Sequence, residues 1–200
     1  YLMEVIGTFF LTLAVAFSPE NPVAIGLMFA SLIYIGGQAS GAHYNPAFRF
    51  AAWLRGMLKP DVMLMYIGAQ TIGAVAALWL FKMYTGSVSM PSSPAQFGVA
   101  VLMETLLTFA LVLAFLTVTL SRRFKDHPIN GFVIGFTLIA IASIGGIFNP
   151  AIALAAMLFN LSGEATTAAI SINWVVLYIF GPLLGGVIAA WSYGYFYPKD

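Results

Sequence analysis

Charge-free apolar runs separated by short polar turns divide the chain into lengths that suit a membrane. A helix needs about 20 apolar residues to cross the hydrocarbon core of a bilayer. Single spans are predicted over Tyr1–Pro19, Val62–Phe81, Ala95–Ser121 and Ile172–Tyr193. Turns rich in Pro, Ser or charge are predicted at Pro19–Pro22, Gly86–Pro94 and Arg122–Asp126. The pattern therefore predicts helices that cross a membrane several times.

Two further runs, Asn21–Phe48 and Pro128–Gly163, are too long for one helix. Each contains the tripeptide Asn-Pro-Ala, in which Asn is a favoured N-cap and Pro a favoured first helical residue. A short helix that begins at mid-membrane depth has to be re-entrant, because irregular backbone there must be buried or line a cavity. The sequence thus predicts an all-α membrane protein with six transmembrane helices and two re-entrant half-helices. The tripeptides are Asn45-Pro46-Ala47 and Asn149-Pro150-Ala151.

Composition narrows the class. The 200 residues are 61% hydrophobic and 8% charged, whereas soluble domains carry about 25% charged residues. This excludes a soluble enzyme, a disordered chain and a nucleic-acid binder. With no cysteine, disulfides and thiolate metal sites are excluded, and we expect no metal or cofactor. From the apolar start at Tyr1 we expect that a few N-terminal residues precede it and that there is no cleavable signal peptide.

The basic residues predict the orientation. Six spans place both termini on one side, and positive residues favour the cytoplasmic side. Only Lys82 falls on the other side, where Glu20 and Glu164 also lie. Both termini are therefore predicted to be cytoplasmic. The basic residues predicted on the cytoplasmic side are Arg49, Arg55, Lys59, Arg122, Arg123, Lys125 and Lys199.

The two halves of the chain resemble each other. Glu4-Val5-Ile6-Gly7-Thr8-Phe9 opens the first span and Glu104-Thr105-Leu106-Leu107-Thr108-Phe109 opens the fourth. In the same order follow the two Asn-Pro-Ala segments, then Tyr66-Ile67 with Gly73 and Tyr178-Ile179 with Gly185. Because each half has three spans, the second half is inverted, an architecture that places a solute site at the midplane. We predict one domain over 1–200, with repeats over 1–88 and 95–200.

These motifs resemble the aquaporin, or major intrinsic protein, family over essentially the whole chain. The resemblance rests on Ser40-Gly41-Ala42-His43-Tyr44-Asn45-Pro46-Ala47, the second Asn149-Pro150-Ala151, the Glu4/Glu104 pair, Ala69-Gln70 and Gly181-Pro182. It implies a homotetramer with one pore in each subunit. It also implies a pore-side role for His43, with bonds to the loop backbone.

The half-helix N-termini and the polar residues near them predict how the junction at the membrane midplane treats solutes and ions. Each half-helix N-terminus carries about half a positive charge, which opposes cations. The Asn45 and Asn149 amides are expected to offer donors to a passing neutral solute. A carboxylate in lipid is costly, so Glu4 and Glu104 are expected to face inward and accept hydrogen bonds from loop N–H groups. Gln70 is expected to bond the loop around Asn45.

The outer selectivity filter that the resemblance implies is atypical here. Family members have Arg three residues after the second Asn, where this chain has Ile152. The other filter positions fall on Gly146 and Ile25, and the fifth-span position on Ala142 or, counted without a gap, Thr137. Glycerol-conducting members of the family often have Asp four residues after the second Asn, where this chain has Ala153. The resemblance thus predicts a wide, apolar filter.

Arg49 is a second departure, since Thr is usual at that position of the family. Three interpretations stay open: it pairs with a buried carboxylate, it lines the inner vestibule, or its charge snorkels to the cytoplasm.

We predict a non-enzymatic, passive channel in the cell membrane for water or small uncharged solutes. Two alternatives remain at this point, a secondary transporter with broken helices and a structural membrane protein with a closed pore.

Overall fold

The computed structural model describes residues 1–88, 94–125, 127–161 and 172–198, and their regular secondary structure is all helical. Asp126, Glu164, Lys199 and most of the predicted Gly86–Pro94 loop lie outside the described residues. Within the described ranges the helices are α1 (Leu2–Phe17), α2 (Pro22–Ser40), α3 (Pro46–Leu54), α4 (Pro60–Thr85), α5 (Phe97–Leu120), α6 (Asn130–Ala142), α7 (Pro150–Leu161) and α8 (Ile172–Phe196), the last with a π-helical turn at Val176–Phe180.

Four of these helices, α2, α4, α5 and α8, are long and apolar enough to cross a membrane. The other two predicted spans are shorter, with 16 residues in α1 and 13 in α6. At 1.5 Å per residue, α6 is only about 20 Å long. It ends at Ala142 because the chain then turns at Gly145 and Gly146, which have φ values of 111° and 136°.

The half-helices α3 and α7 begin at Pro46 and Pro150, as the Asn-Pro-Ala segments predicted. Asn45 is extended, at φ −153° and ψ 123°, and caps α3 with its side chain. In α3 the residues from Pro46 to Arg49 are all buried. Both half-helices therefore start inside the molecule.

The helices of the two halves pack in corresponding pairs, with close approach of their backbones. α1 packs on α4 and α5 packs on α8, while α2 and α6 cross each other. A side chain at Gly73 would overlap the Val5 carbonyl, and one at Gly185 would overlap the Thr105 carbonyl. Glycine at each position lets the helix backbones approach.

The surface is apolar and several buried groups are polar. Trp191 is 72% exposed and Ile35 67%, whereas Glu4 and Gln70 are fully buried. A soluble protein would not expose this much apolar surface. The arrangement fits a lipid-facing exterior around a polar axis.

Candidate functional site

The N-termini of α3 and α7 meet through their two asparagines. The Asn45 Oδ1 accepts the Ala47 N–H at 2.9 Å, and the Asn149 Oδ1 accepts the Ala151 N–H at 3.0 Å. Each oxygen thereby satisfies one of the free N–H groups of a helix start.

The same asparagines bridge the two halves of the chain. Asn45 Nδ2 donates to the Phe148 carbonyl at 2.8 Å, and Asn149 Nδ2 donates to the Tyr44 carbonyl at 2.8 Å. An amide nitrogen carries two N–H groups, so one N–H of each side chain is not used by this bridge. The predicted donors are therefore present, but half of their capacity holds the loops together.

Each loop has a strained residue just before its asparagine. Tyr44 and Phe148 have φ values of 50° and 54°, a region that non-glycine residues seldom adopt. The bridging carbonyls belong to these two residues, so the positive φ is part of the geometry that presents them to the opposite asparagine.

Glu4 supports the first loop, as predicted. Its carboxylate accepts the N–H groups of His43 and Tyr44 at 3.1 and 2.8 Å and the Ser40 hydroxyl at 2.7 Å. Gln70 also donates to it, at 2.8 Å. The predicted bond from Gln70 to the loop is replaced by this one, so Gln70 holds the loop through Glu4.

Glu104 supports the second loop, also as predicted. It accepts the Phe148 N–H at 2.5 Å and the Ile147 N–H at 3.1 Å. A side chain at Gly146 would overlap this carboxylate and the Phe148 ring. Glycine is therefore required for the carboxylate to come so close.

His43 is buried, with its ring edge-on to Phe115 at 4.9 Å between centroids. Its Nδ1 lies 4.0 Å from the Glu4 carboxylate. Among the described residues, neither ring nitrogen has a partner in hydrogen-bond geometry. The expected contact with the loop backbone is made to Ser40, which interacts with the imidazole outside strict hydrogen-bond geometry.

Arg49 is buried and packs on the α4 side of α3. Its guanidinium lies 3.4 Å above the Tyr66 ring centroid, and Nη2 donates to the Ser40 carbonyl at 2.8 Å. No carboxylate of the described residues lies within 4.0 Å of it, so Arg49 forms no direct salt bridge, although Ser40 joins it to Glu4 by accepting from Arg49 and donating to Glu4. The cation–π contact and the carbonyl replace the acid.

A cavity of about 250 Å³ leads to the two asparagines; we call it the filter cavity. The positions predicted for the filter, Ile25, Ala142, Gly146 and Ile152, all line it together with Asn45 and Asn149. Thr137 does not, and its hydroxyl donates to the Val133 carbonyl within α6 at 2.8 Å. Of the two alternatives, the structure places Ala142 at the cavity.

Sequence reasoning missed the second layer of this wall. Leu11, Phe29, Leu111 and Leu138 also line the cavity. Phe29 and Leu138 lie four residues from Ile25 and Ala142 on the same helices, so the i, i+4 spacing of a helix face was the available signal.

Comparisons with known proteins agree with this geometry. The family described as "Major intrinsic protein" matches residues 4–193. The chain is 31% identical over 183 residues to the "Probable aquaporin AqpM" of Archaeoglobus fulgidus, covering 86% of this chain and 74% of the relative. It is 32% identical over 211 residues to the "Glycerol uptake facilitator protein-like 6" of Lactiplantibacillus plantarum, covering 95% and 94%.

A solved structure has the same fold. The aquaglyceroporin from Plasmodium falciparum aligns with a TM-score of 0.74 at 22% identity, over 96% of this chain and 95% of that one. Two half-helices that meet at a cavity within a helical membrane fold define a membrane channel. The chain belongs to the major intrinsic protein family, and it is a passive channel for water and small solutes.

Proposed function

We propose that this channel conducts small uncharged solutes besides water, because the residues of its outer filter are apolar and uncharged. The observation that carries the proposal is the wall of the filter cavity, where Ile25, Ala142, Gly146 and Ile152 surround the approach to the asparagines. The side chains of Ile25, Ala142 and Ile152 have no charge and no hydrogen-bonding group, and Gly146 has no side chain. Pore selectivity depends on the pore diameter, its hydrogen-bond donors and its electrostatic barriers. The side chains of this wall supply no donor and no charge.

The proposal includes the setting of the pore. Asn45, Asn149 and the two carboxylates act as the midplane junction and its support, within one domain of two inverted repeats over 1–88 and 95–200. The channel is a homotetramer in the cell membrane with both termini in the cytoplasm. The basic residues Arg122, Arg123 and Lys125 support this orientation. Single cysteines introduced at Lys125 and Glu20 would report it, because the chain has no other thiol.

Ile152→Arg tests the filter. A guanidinium at this position adds a cation and narrows the cavity, so passage of glycerol and urea is expected to fall more than passage of water. Stopped-flow light scattering of proteoliposomes with water, glycerol, urea and ammonia measures the four fluxes. Ile152→Met is the matched control, because it adds length without charge. Equal flux ratios in the two variants would contradict the assignment of Ile152 to the filter.

A further inference from the structure

A second cavity lies beyond the asparagine junction. It measures about 350 Å³, and we call it the His127 cavity. Gly41 and Ala42 of the first loop line it, whereas Asn45 lines the filter cavity. The two cavities have no lining residue in common.

The two cavities lie along one axis, because they use the same helix faces one turn apart. Four residues of helix correspond to about 6 Å. Three helices each line both cavities with residues four positions apart. The residues that line the filter cavity are Phe29 on α2, Leu111 on α5 and Leu138 on α6, and those that line the His127 cavity are Ile33, Phe115 and Ile134 on the same helices.

Phe48 lines neither cavity itself, but it packs between Phe29, which lines the filter cavity, and Phe115, which lines the His127 cavity. Its side chain has no exposed surface, and its ring stacks on Phe115 with centroids 4.5 Å apart and planes at 17°. The Phe29 ring centroid is 5.9 Å away on the side of the filter cavity. The aromatic stack of Phe48 and Phe115 thus separates the two cavities.

The position of Phe48 in the repeat supports a role on the solute route. It stands three residues after Asn45, as Ile152 stands three residues after Asn149. Ile152 lines the filter cavity on one side of the junction. Its counterpart in the inverted half would then face the route on the other side, and here that counterpart is a bulky ring.

We propose that Phe48 and Phe115, rather than the four filter positions, form the size-limiting constriction of this channel. The proposal rests on the route through the filter cavity that is proposed above. Since the stacked rings close the layer between the cavities, at least one ring must rotate for a solute to pass. A wider solute requires a larger displacement against close-packed neighbours, so the stack discriminates by size, and its apolar faces add a barrier to ions.

The test replaces each ring separately. Phe48→Val and Phe115→Val are expected to raise the flux of erythritol and longer polyols several-fold relative to water flux. Phe48→Trp is expected to lower both the polyol flux and the water flux. Leu116→Ala is the matched control, because Leu116 is fully buried next to Phe115 but has no ring in the stack of Phe48 and Phe115. Stopped-flow light scattering of proteoliposomes gives the fluxes, and size-exclusion profiles report folding.

The outcomes separate this inference from the proposed filter. Wild-type polyol selectivity in folded Phe115→Val and Phe48→Trp would overturn the inference, even where Phe48→Val fails to fold. If Ile152→Arg alters selectivity while the ring variants do not, the filter stands and the constriction is wrong. If only the ring variants alter selectivity, the constriction stands and the filter is wrong. An equal effect of Leu116→Ala would show general loosening and would also overturn the inference.

Discussion

At the scale of single residues, the two buried carboxylates hold their loops with unequal numbers of partners. Glu4 accepts hydrogen bonds from four donor groups, whereas Glu104 accepts them from two backbone N–H groups. The sequence explains the difference. Ser40 stands five residues before Asn45, where the second half has Ile144, and in the register of Tyr66 with Tyr178 the counterpart of Gln70 is Pro182.

This inequality predicts different costs for neutral substitutions. Each Glu4 oxygen accepts from two donors, so the amide nitrogen of Glu4→Gln must face two of them. In Glu104→Gln, the remaining oxygen can stay at the Oε1 position and keep both loop N–H groups. A buried donor without a partner costs about 1–3 kcal/mol. Glu4→Gln is therefore expected to lower the melting temperature in detergent clearly more than Glu104→Gln.

Thermal unfolding followed by tryptophan fluorescence in detergent measures both variants under the same conditions. An equal loss of stability, or a larger loss for Glu104→Gln, would show that the number of donors does not govern the support of the loops.

Residue roles differ in how far the sequence reveals them. Asn45, Asn149, Glu4 and Glu104 stand out because polar groups within charge-free runs must find internal partners. Phe48 does not, because a large apolar residue in a short helix is typical of any core. Its role depends on which cavities lie on either side of it, and that is a property of the assembled helices.

At the scale of elements, the link between α6 and α7 contains three residues with positive φ, namely Gly145, Gly146 and Phe148. In the 36-residue run Pro128–Gly163 the sequence predicts the start of α7 but not the end of α6, because the apolar residues before Asn149 suit helix and loop alike. Gly145 and Gly146 end the ambiguity, since their φ values of 111° and 136° exclude helix. For the same reason, the sequence is compatible with either Ala142 or Thr137 at the fifth-span filter position.

The two glycines provide a matched pair of variants. Both are in a region of φ that costs non-glycine residues about 1–3 kcal/mol. A side chain at Gly145 meets no atom within 4 Å, whereas one at Gly146 overlaps Phe148 and the Glu104 carboxylate. Gly146→Ala is therefore expected to lose more thermal stability than Gly145→Ala, and also water permeability, because Phe148 and the Asn45 bond to it must shift.

Melting temperature in detergent and water flux in proteoliposomes check this pair. If Gly145→Ala reduces both to the same extent, backbone conformation alone controls the link, and the close approach of Glu104 has no separate effect.

At the scale of the whole molecule, a reciprocal contact joins the two asparagine loops, in addition to the helix packing between the halves. Asn45 bonds the loop of the second half and Asn149 bonds the loop of the first, each at 2.8 Å. The halves also bring two helix N-termini together, each with about half a positive charge. Pairing of the tripeptides could be predicted from the inverted repeat, but the exchanged bonds could not, because they depend on the positive φ of Tyr44 and Phe148.

The reciprocal contact predicts how charge at the junction changes selectivity. Asn149→Asp keeps an oxygen that can accept the Ala151 N–H, but it has no donor for the Tyr44 carbonyl and adds a negative charge. It is therefore expected to raise cation leakage and alter water flux, and Asn45→Asp should do the same because its bonds are equivalent. Asn149→Ala loses the same bridge without adding charge, so it should alter water flux with little cation leakage.

Ion flux in proteoliposomes, measured with a potential-sensitive dye beside water flux, distinguishes the two effects. Background ion conductance in folded Asn149→Asp would mean that the half-helix ends and amide donors do not control ion exclusion, and that the apolar layer at Phe48 is sufficient to exclude cations.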